Sequence, residues 1–198
     1  VLSAHEQLGV SLGDTIVVIG AGPIGCLHIA VAKARGARVI VSQRSETRRL
    51  LARSFAPDVV LDPSHEDAVA RVRELTSGVG AAAVICANGM AGTVAQAVEM
   101  IRKGGAVVLF GGLPKASPLA SFNANLVHYG EIRIVGAFSY LPTTHALALD
   151  VLARKIIPTD KLVTHRFSLE QIAQAFEVAD NGSSLKVLIT QEGCAARG

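Results

Sequence analysis

The chain has no tryptophan, 3 cysteines and 2 methionines, and aromatic residues make up 4% of its 198 positions. Cys26, Cys86 and Cys194 are too few and too scattered for a disulfide framework, and no CxxC pair offers a structural zinc site. A reducing cytoplasm is therefore the expected compartment. No apolar run approaches the roughly 18 residues of a membrane helix, and Val1–Glu6 lacks the basic stretch and apolar run of a secretory leader. No membrane partner is expected. With 19 Gly and 7 Pro, collagen-like and low-complexity classes are excluded. A hydrophobic share of 50% excludes disorder. The length suits one domain, or one domain plus part of another, able to bury roughly 70% of its unfolded surface.

The net charge of +3 is small but concentrated. Between Arg44 and Arg53 stand four arginines (Arg44, Arg48, Arg49, Arg53) against Glu46, so this segment alone carries the +3. A nucleic-acid binder spreads its basic residues over a wider footprint, and no nucleic-acid partner is expected. One compact patch points instead to a small anionic ligand or a solvated helix face.

Short β-branched runs alternate with helical stretches. Strands are expected at Thr15–Ile19, Arg38–Val41, Val59–Leu61, Ala82–Cys86, Ala106–Phe110 and Ile132–Val135. Helices are expected at Ile24–Arg35, Glu46–Phe55 behind an N-cap at Ser45, Asp67–Thr76 and Thr93–Ile101. Near-continuous apolar strands between helices indicate a parallel sheet covered on both faces, a doubly wound α/β domain of six strands. After Phe138 the rhythm changes. Helices at Thr143–Arg154 and Leu169–Ala179, the second capped by Ser168, and strands at Thr164–Phe167 and Lys186–Ile189 form an α+β tail with no place in that sheet.

Gly20-Ala21-Gly22-Pro23-Ile24-Gly25 matches GxGxxG directly after a strand and at the start of a helix. The first glycine permits a tight turn, the second lets the backbone approach a pyrophosphate, and the third allows close helix–strand packing. The helix N-terminus adds unpaired N–H groups and partial positive charge. The rival reading, a methyltransferase-like glycine loop, lacks the second βαβ half that Ala82 to Val135 supplies.

Several motifs accompany this loop. They are Gly13-Asp14-Thr15 before the first strand, Val18 to Gly25, Ile101-Arg102-Lys103-Gly104-Gly105, Gly136-Ala137-Phe138, and Leu162 to Leu169 (LVTHRFSL). Together they resemble the zinc-dependent medium-chain dehydrogenases, and the last looks most like the sorbitol and threonine dehydrogenase branch. The resemblance spans the whole chain and implies a Rossmann coenzyme domain over residues 1–141. It also implies a C-terminal segment, 142–198, that returns to a GroES-like catalytic domain carrying zinc ligands and a proton relay. The chain is expected to start after that domain, so no catalytic residue and no metal ligand is assigned to it. His5, His28, His65, His128, His145 and His165 form no ligand set by spacing, and His165 reads as a packed or solvated histidine.

A ribose 2′-hydroxyl is usually held by an acid at the end of the second strand, about 20 residues beyond the glycines. Here that strand ends in Ser42, Gln43 and Arg44, with no carboxylate to repel a 2′-phosphate. Arg44 and Arg48 are four apart, near one face of a helix starting at Ser45, and guanidinium groups suit phosphate. NADP-preferring relatives resemble this arrangement, so NADP is expected over NAD; Arg49 and Arg53 read as surface residues. Ligands lie beyond the carboxyl ends of parallel strands. Ala87, Asn88 and Gly89 after the fourth strand should then approach the adenosine side. Gly111 and Gly112 follow the fifth strand, and Ala137, Phe138 and Ser139 follow the sixth, near the nicotinamide. Asn88 reads equally as a turn cap, and Phe138 as either pocket wall or core. Arg166 resembles an arginine that faces the coenzyme in the sorbitol dehydrogenase branch.

The activity implied is hydride transfer between a nicotinamide coenzyme and an alcohol, polyol or ketone, zinc being supplied by the other domain. A stand-alone dinucleotide-binding sensor or docking module, and a zinc-free quinone or enoyl reductase, remain alternatives. The resemblance further implies homo-oligomers that pair through the coenzyme domain, with Ile132 to Val135 side by side.

Overall fold

The computed structural model describes residues 1–191; Cys194 lies outside them. A first helix, α1 (Leu2–Glu6), precedes β1 (Thr15–Ile19), α2 (Pro23–Ala34), β2 (Arg38–Ser42), α3 (Glu46–Arg53) and β3 (Val59–Leu61). Next come α4 (Ala68–Leu75), β4 (Ala81–Cys86), α5 (Ala91–Met100), β5 (Ile101–Leu109), α6 (Ala124–Gly130) and β6 (Arg133–Gly136). These six strands form one sheet in the order β3-β2-β1-β4-β5-β6, with every pairing parallel. The expected doubly wound six-stranded sheet is present, and β1 stands at its centre.

Alternation along the strands explains their near-continuous apolar runs. Ile16 and Val18 of β1 face one helical layer with Ile29, Val39, Val41 and Val108. Val17 and Ile19 face the other, with Ile40, Leu61, Val72, Val84 and Val107. Caps set the helix starts. Ser45 accepts from Arg48 N at 3.4 Å, and Asp67 accepts from Val69 N and Ala70 N at 2.9 and 3.1 Å. The sequence reading missed α6 because none of its residues is buried, so it has no apolar stripe; Asn123 caps it.

The tail comprises α7 (Pro142–Ala153), α8 (Thr159–Leu162), β7 (Val163–Ser168), a 3-10 turn at Leu169–Gln171, α9 (Ile172–Asp180) and β8 (Lys186–Thr190). A Ser168–Gln171 capping box opens the last helical stretch, and β7 and β8 pair in parallel as a separate two-stranded sheet. Ile157 and Leu185 are buried in the same core as β1 and α2, with Val151 and Leu162 packed against it. The outer sides of α7 and α9 leave Leu147, Leu152, Ile172 and Phe176 exposed. No described helix is long and apolar enough to cross a membrane.

Candidate coenzyme site

The glycine loop is built by steric necessity. Gly20 has φ +104°, and a Cβ there would sit 3.1 Å from Ala87 O. A Cβ on Gly25 would overlap the carbonyl oxygen of Gly20, so α2 can start this close to β1 only with glycine at that position. Gly22 is the N-cap of α2 with no side-chain cap, and Pro23 opens the helix. Proline has no N–H to leave unpaired, and the remaining first-turn N–H groups point out of the helix end, where an anion can take them. Gly89 and Gly111 hold the neighbouring loops together: a Cβ on Gly111 would overlap the Asn88 backbone, and one on Gly89 the Gly112 carbonyl.

Two cavities flank this loop at the carboxyl ends of the strands. One, of about 420 Å³, is lined by Gly20, Gly22, Ser42, Gln43, Arg44, Arg48, Ala87 and Asn88 of the expected residues. Met90, Gly92, Thr93 and Gln96, which sequence reasoning had not singled out, also line it, with Ile19 and Pro63. The other, of about 410 Å³, gathers Ile24, Ala137, Phe138 and Ser139 with Phe110, Thr144 and His145. Gly22 borders the first and Ile24 the second, so the helix N-terminus lies between them. An extended ligand with a charged centre and two flat ends fits this layout. Pro23, Gly25, Gly89, Gly111, Gly112 and Arg166 line neither cavity. Arg166 is exposed on β7.

The first cavity is electropositive. No acid is among its lining residues. Among the described residues, neither Arg44 nor Arg48 has a carboxylate partner. Arg44 lies in the turn before α3 rather than on the helix, its Nη2 3.1 Å from Met90 Sδ. Arg48 reaches the glycine loop: its Nη1 is 3.9 Å from where a Gly22 Cβ would stand. Arg49 departs from the surface reading. Its side chain is only 17% exposed, and it pairs with Asp62 at 2.8 Å. Asn88 takes the turn-cap role, its Oδ1 accepting from Met90 N at 3.1 Å and from the Thr93 hydroxyl at 2.9 Å.

Phe138 is fully exposed at the rim of the second cavity, so it is not core. Behind Phe110 lies a pair that no sequence motif announced. His5 Nε2 and His28 Nδ1 are 3.1 Å apart and buried, and the His28 ring meets Phe110 edge-on at 4.6 Å. Two free thiols, Cys26 and Cys86, lie buried near the site. Burial pushes both Cys26 and Cys86 up to about 12. Among the described residues, no group of three or more His, Cys, Asp or Glu could hold a metal ion. The described residues therefore do not fit a catalytic zinc.

The zinc-binding dehydrogenase family matches residues 23–154 of this sequence. The chain belongs to that family. Sorbitol dehydrogenase of Halalkalibacterium halodurans is 33% identical over 189 residues, covering 94% of this chain and 54% of that protein. The sheep (Ovis aries) enzyme of the same name is 35% identical, with 95% and 53% covered. Among solved structures, 2R,3R-butanediol dehydrogenase from Bacillus subtilis superposes with a TM-score of 0.87 at 27% identity. That match covers 96% of this chain and 55% of the other. A zinc-binding dehydrogenase of Sinorhizobium meliloti 1021, solved bound to NADP, gives 0.83 at 30%, with 95% and 55% covered. The chain thus spans about half the length of the curated relatives it matches. Its six-stranded parallel sheet is that of the coenzyme domain in these dehydrogenases.

Proposed function

We propose that this chain is the coenzyme-binding part of an oxidoreductase that moves hydride between a nicotinamide coenzyme, NADP in preference to NAD, and an alcohol, polyol or ketone. Residues 1–141 serve as the dinucleotide-binding domain. Residues 142–198 return to a catalytic domain, which brings the zinc and most of the substrate pocket. A bound coenzyme supplies the ring that carries the hydride. The chain's own residues bind and orient it: the α2 N-terminus takes the pyrophosphate, and the cavity walled by Ile24, Phe110 and Ala137 shields the nicotinamide end from water.

The observation that carries the coenzyme choice is the meeting of two guanidinium groups, Arg44 and Arg48, that have no carboxylate partner among the described residues, in a cavity with no acid among its described lining residues. A 2′-phosphate placed there gains charge-assisted hydrogen bonds. Calorimetric titration of the chain with NADP and NAD at one ionic strength tests this. A preference for NADP of about tenfold is expected after solvent screening. Equal affinities, or an Arg44→Ala variant that weakens both coenzymes alike, would refute it.

A further inference from the structure

The four arginines of residues 44–53 do not share one role. Arg44 and Arg48 face the cavity. Arg49 turns the other way along the same short helix and is nearly enclosed. Its Nη1 donates to Gln43 O at 3.0 Å and to Arg44 O at 2.5 Å, and lies 2.8 Å from Asp62 Oδ2. Asp62 is itself fixed, its Oδ1 accepting from Ser64 N at 3.0 Å. On the facing side, Gln43 N donates to Leu61 O at 3.1 Å, and Gln43 Oε1 accepts from Ser45 N. A single guanidinium therefore ties both carbonyls of the turn between β2 and α3 to the loop after β3.

We propose that Arg49 is a positioning residue for coenzyme selection, holding the turn that aims Arg44 into the cavity while cancelling the Asp62 carboxylate beside it. The inference rests on the reading of this cavity as a 2′-phosphate site. Two consequences of the geometry support it. The Gln43–Arg44 turn carries no regular secondary structure of its own. Without the tie, ordering it and the long Arg44 side chain would fall to the ligand, at the expense of affinity. Asp62 directly precedes Pro63, which lines the cavity. Left unpaired, its charge would sit at the edge of the site and oppose a 2′-phosphate, whereas a 2′-hydroxyl carries no charge to be opposed.

The test separates selection from folding. NADP and NAD are titrated into the wild-type chain and into Arg49→Met, which keeps an unbranched apolar stem but loses the donors and the charge. NADP binding is expected to weaken about tenfold and NAD binding to change less than about twofold. Arg49→Lys retains the charge, but its side chain ends one bond short of where Nη1 meets Gln43 O, Arg44 O and Asp62. It is expected to lose about threefold for NADP alone, and it serves if the methionine variant does not fold. Arg44→Ala is measured alongside. Should Arg44→Ala erase the NADP preference while both Arg49 variants keep it, or lose both coenzymes equally, the positioning role is refuted and the 2′-phosphate reading stands. A wild-type chain with no preference overturns both.

Discussion

Lowering the pH from 7 to 4 is expected to destabilise this chain chiefly through His5 and His28. Both rings are buried, at 2% and 0% exposure, and His28 Nε2 has no hydrogen-bond partner among the described residues. Burial, with the nearby Arg35 charge adding to it, lowers His5 from 6.5 to about 4. Burial and the His5 neighbour hold His28 well below 6.5 too. Both imidazoles are thus neutral in the fold but free to take a proton once unfolded. Below pH 6.5 the unfolded state binds more protons, so stability falls with falling pH, by up to about 1.4 kcal/mol per pH unit for each histidine. For His5 alone, the loss between pH 6.5 and pH 4 comes to about 3 kcal/mol. His28 adds to it in the same direction. Against a total of about 5–15 kcal/mol for a typical domain, that is a large share. Asp14 and Asp58 are held below 3.8 because hydrogen bonds from Arg102 and Lys33 outweigh the effect of burial. Their contribution is lost only below pH 3.8, outside this window. Urea midpoints measured from pH 7.5 to pH 4 check the slope. A His5→Phe/His28→Phe chain, which keeps an aromatic ring against Phe110, should lose most of this slope. Stability unchanged between pH 6.5 and 4, or the same decline in the double variant, would refute the reasoning.

Three further outcomes are expected. Gly25→Ala places a methyl group on the Gly20 carbonyl, so the chain should lose about 1–3 kcal/mol of stability and its dinucleotide binding; thermal melts and coenzyme titration check both. Arg73→Ala removes donors to the carbonyls of Gly78, Val79, Glu99 and Ile101, which fasten α4 to the start of β5. A loss of about 1–3 kcal/mol in chemical denaturation is expected, and no change would mean that water replaces these bonds freely. The isolated chain, with Leu147 and Phe176 40% and 70% exposed, is expected to self-associate in sedimentation. A compact monomer whose residues 143–189 exchange as slowly as β1 would move the domain boundary away from Leu141.

The sheet was legible because β-branched runs bounded by glycines leave few alternatives. Thr15–Ile19 matched to the residue, and GxGxxG falls on the loop that borders both cavities. The missing acid after Ser42 was equally readable, since it needs only the end of one strand. What escaped the sequence depends on the third dimension. Nothing in the spacing of Arg44, Arg48 and Arg49 says which of them meets Asp62, because that carboxylate arrives from the next strand. His5 and His28 come together only when α1 packs on α2. Thr144 and His145 reach the second cavity because the tail folds back over the sheet, and no local pattern encodes that approach.

The central position of β1 also bears on how the fold assembles. Pairing β1 with β2 closes only the α2 crossover, whereas pairing it with β4 must bring Ile16 to Ala83 across the whole first half. Distant closure costs more chain entropy before any contact rewards it. The β1–β2–β3 half should therefore gather first, and with it Gly20, Arg44, Arg48 and the Arg49–Asp62 pair. The Gly20–Arg48 side of the first cavity would then exist while the second cavity, built on the ends of β5 and β6, is still unformed. During refolding, pulse-labelled amides of Val39 to Val41 should gain protection ahead of Val107 and Val108. Simultaneous protection would mean that the two halves condense together, with β1 joining both at once.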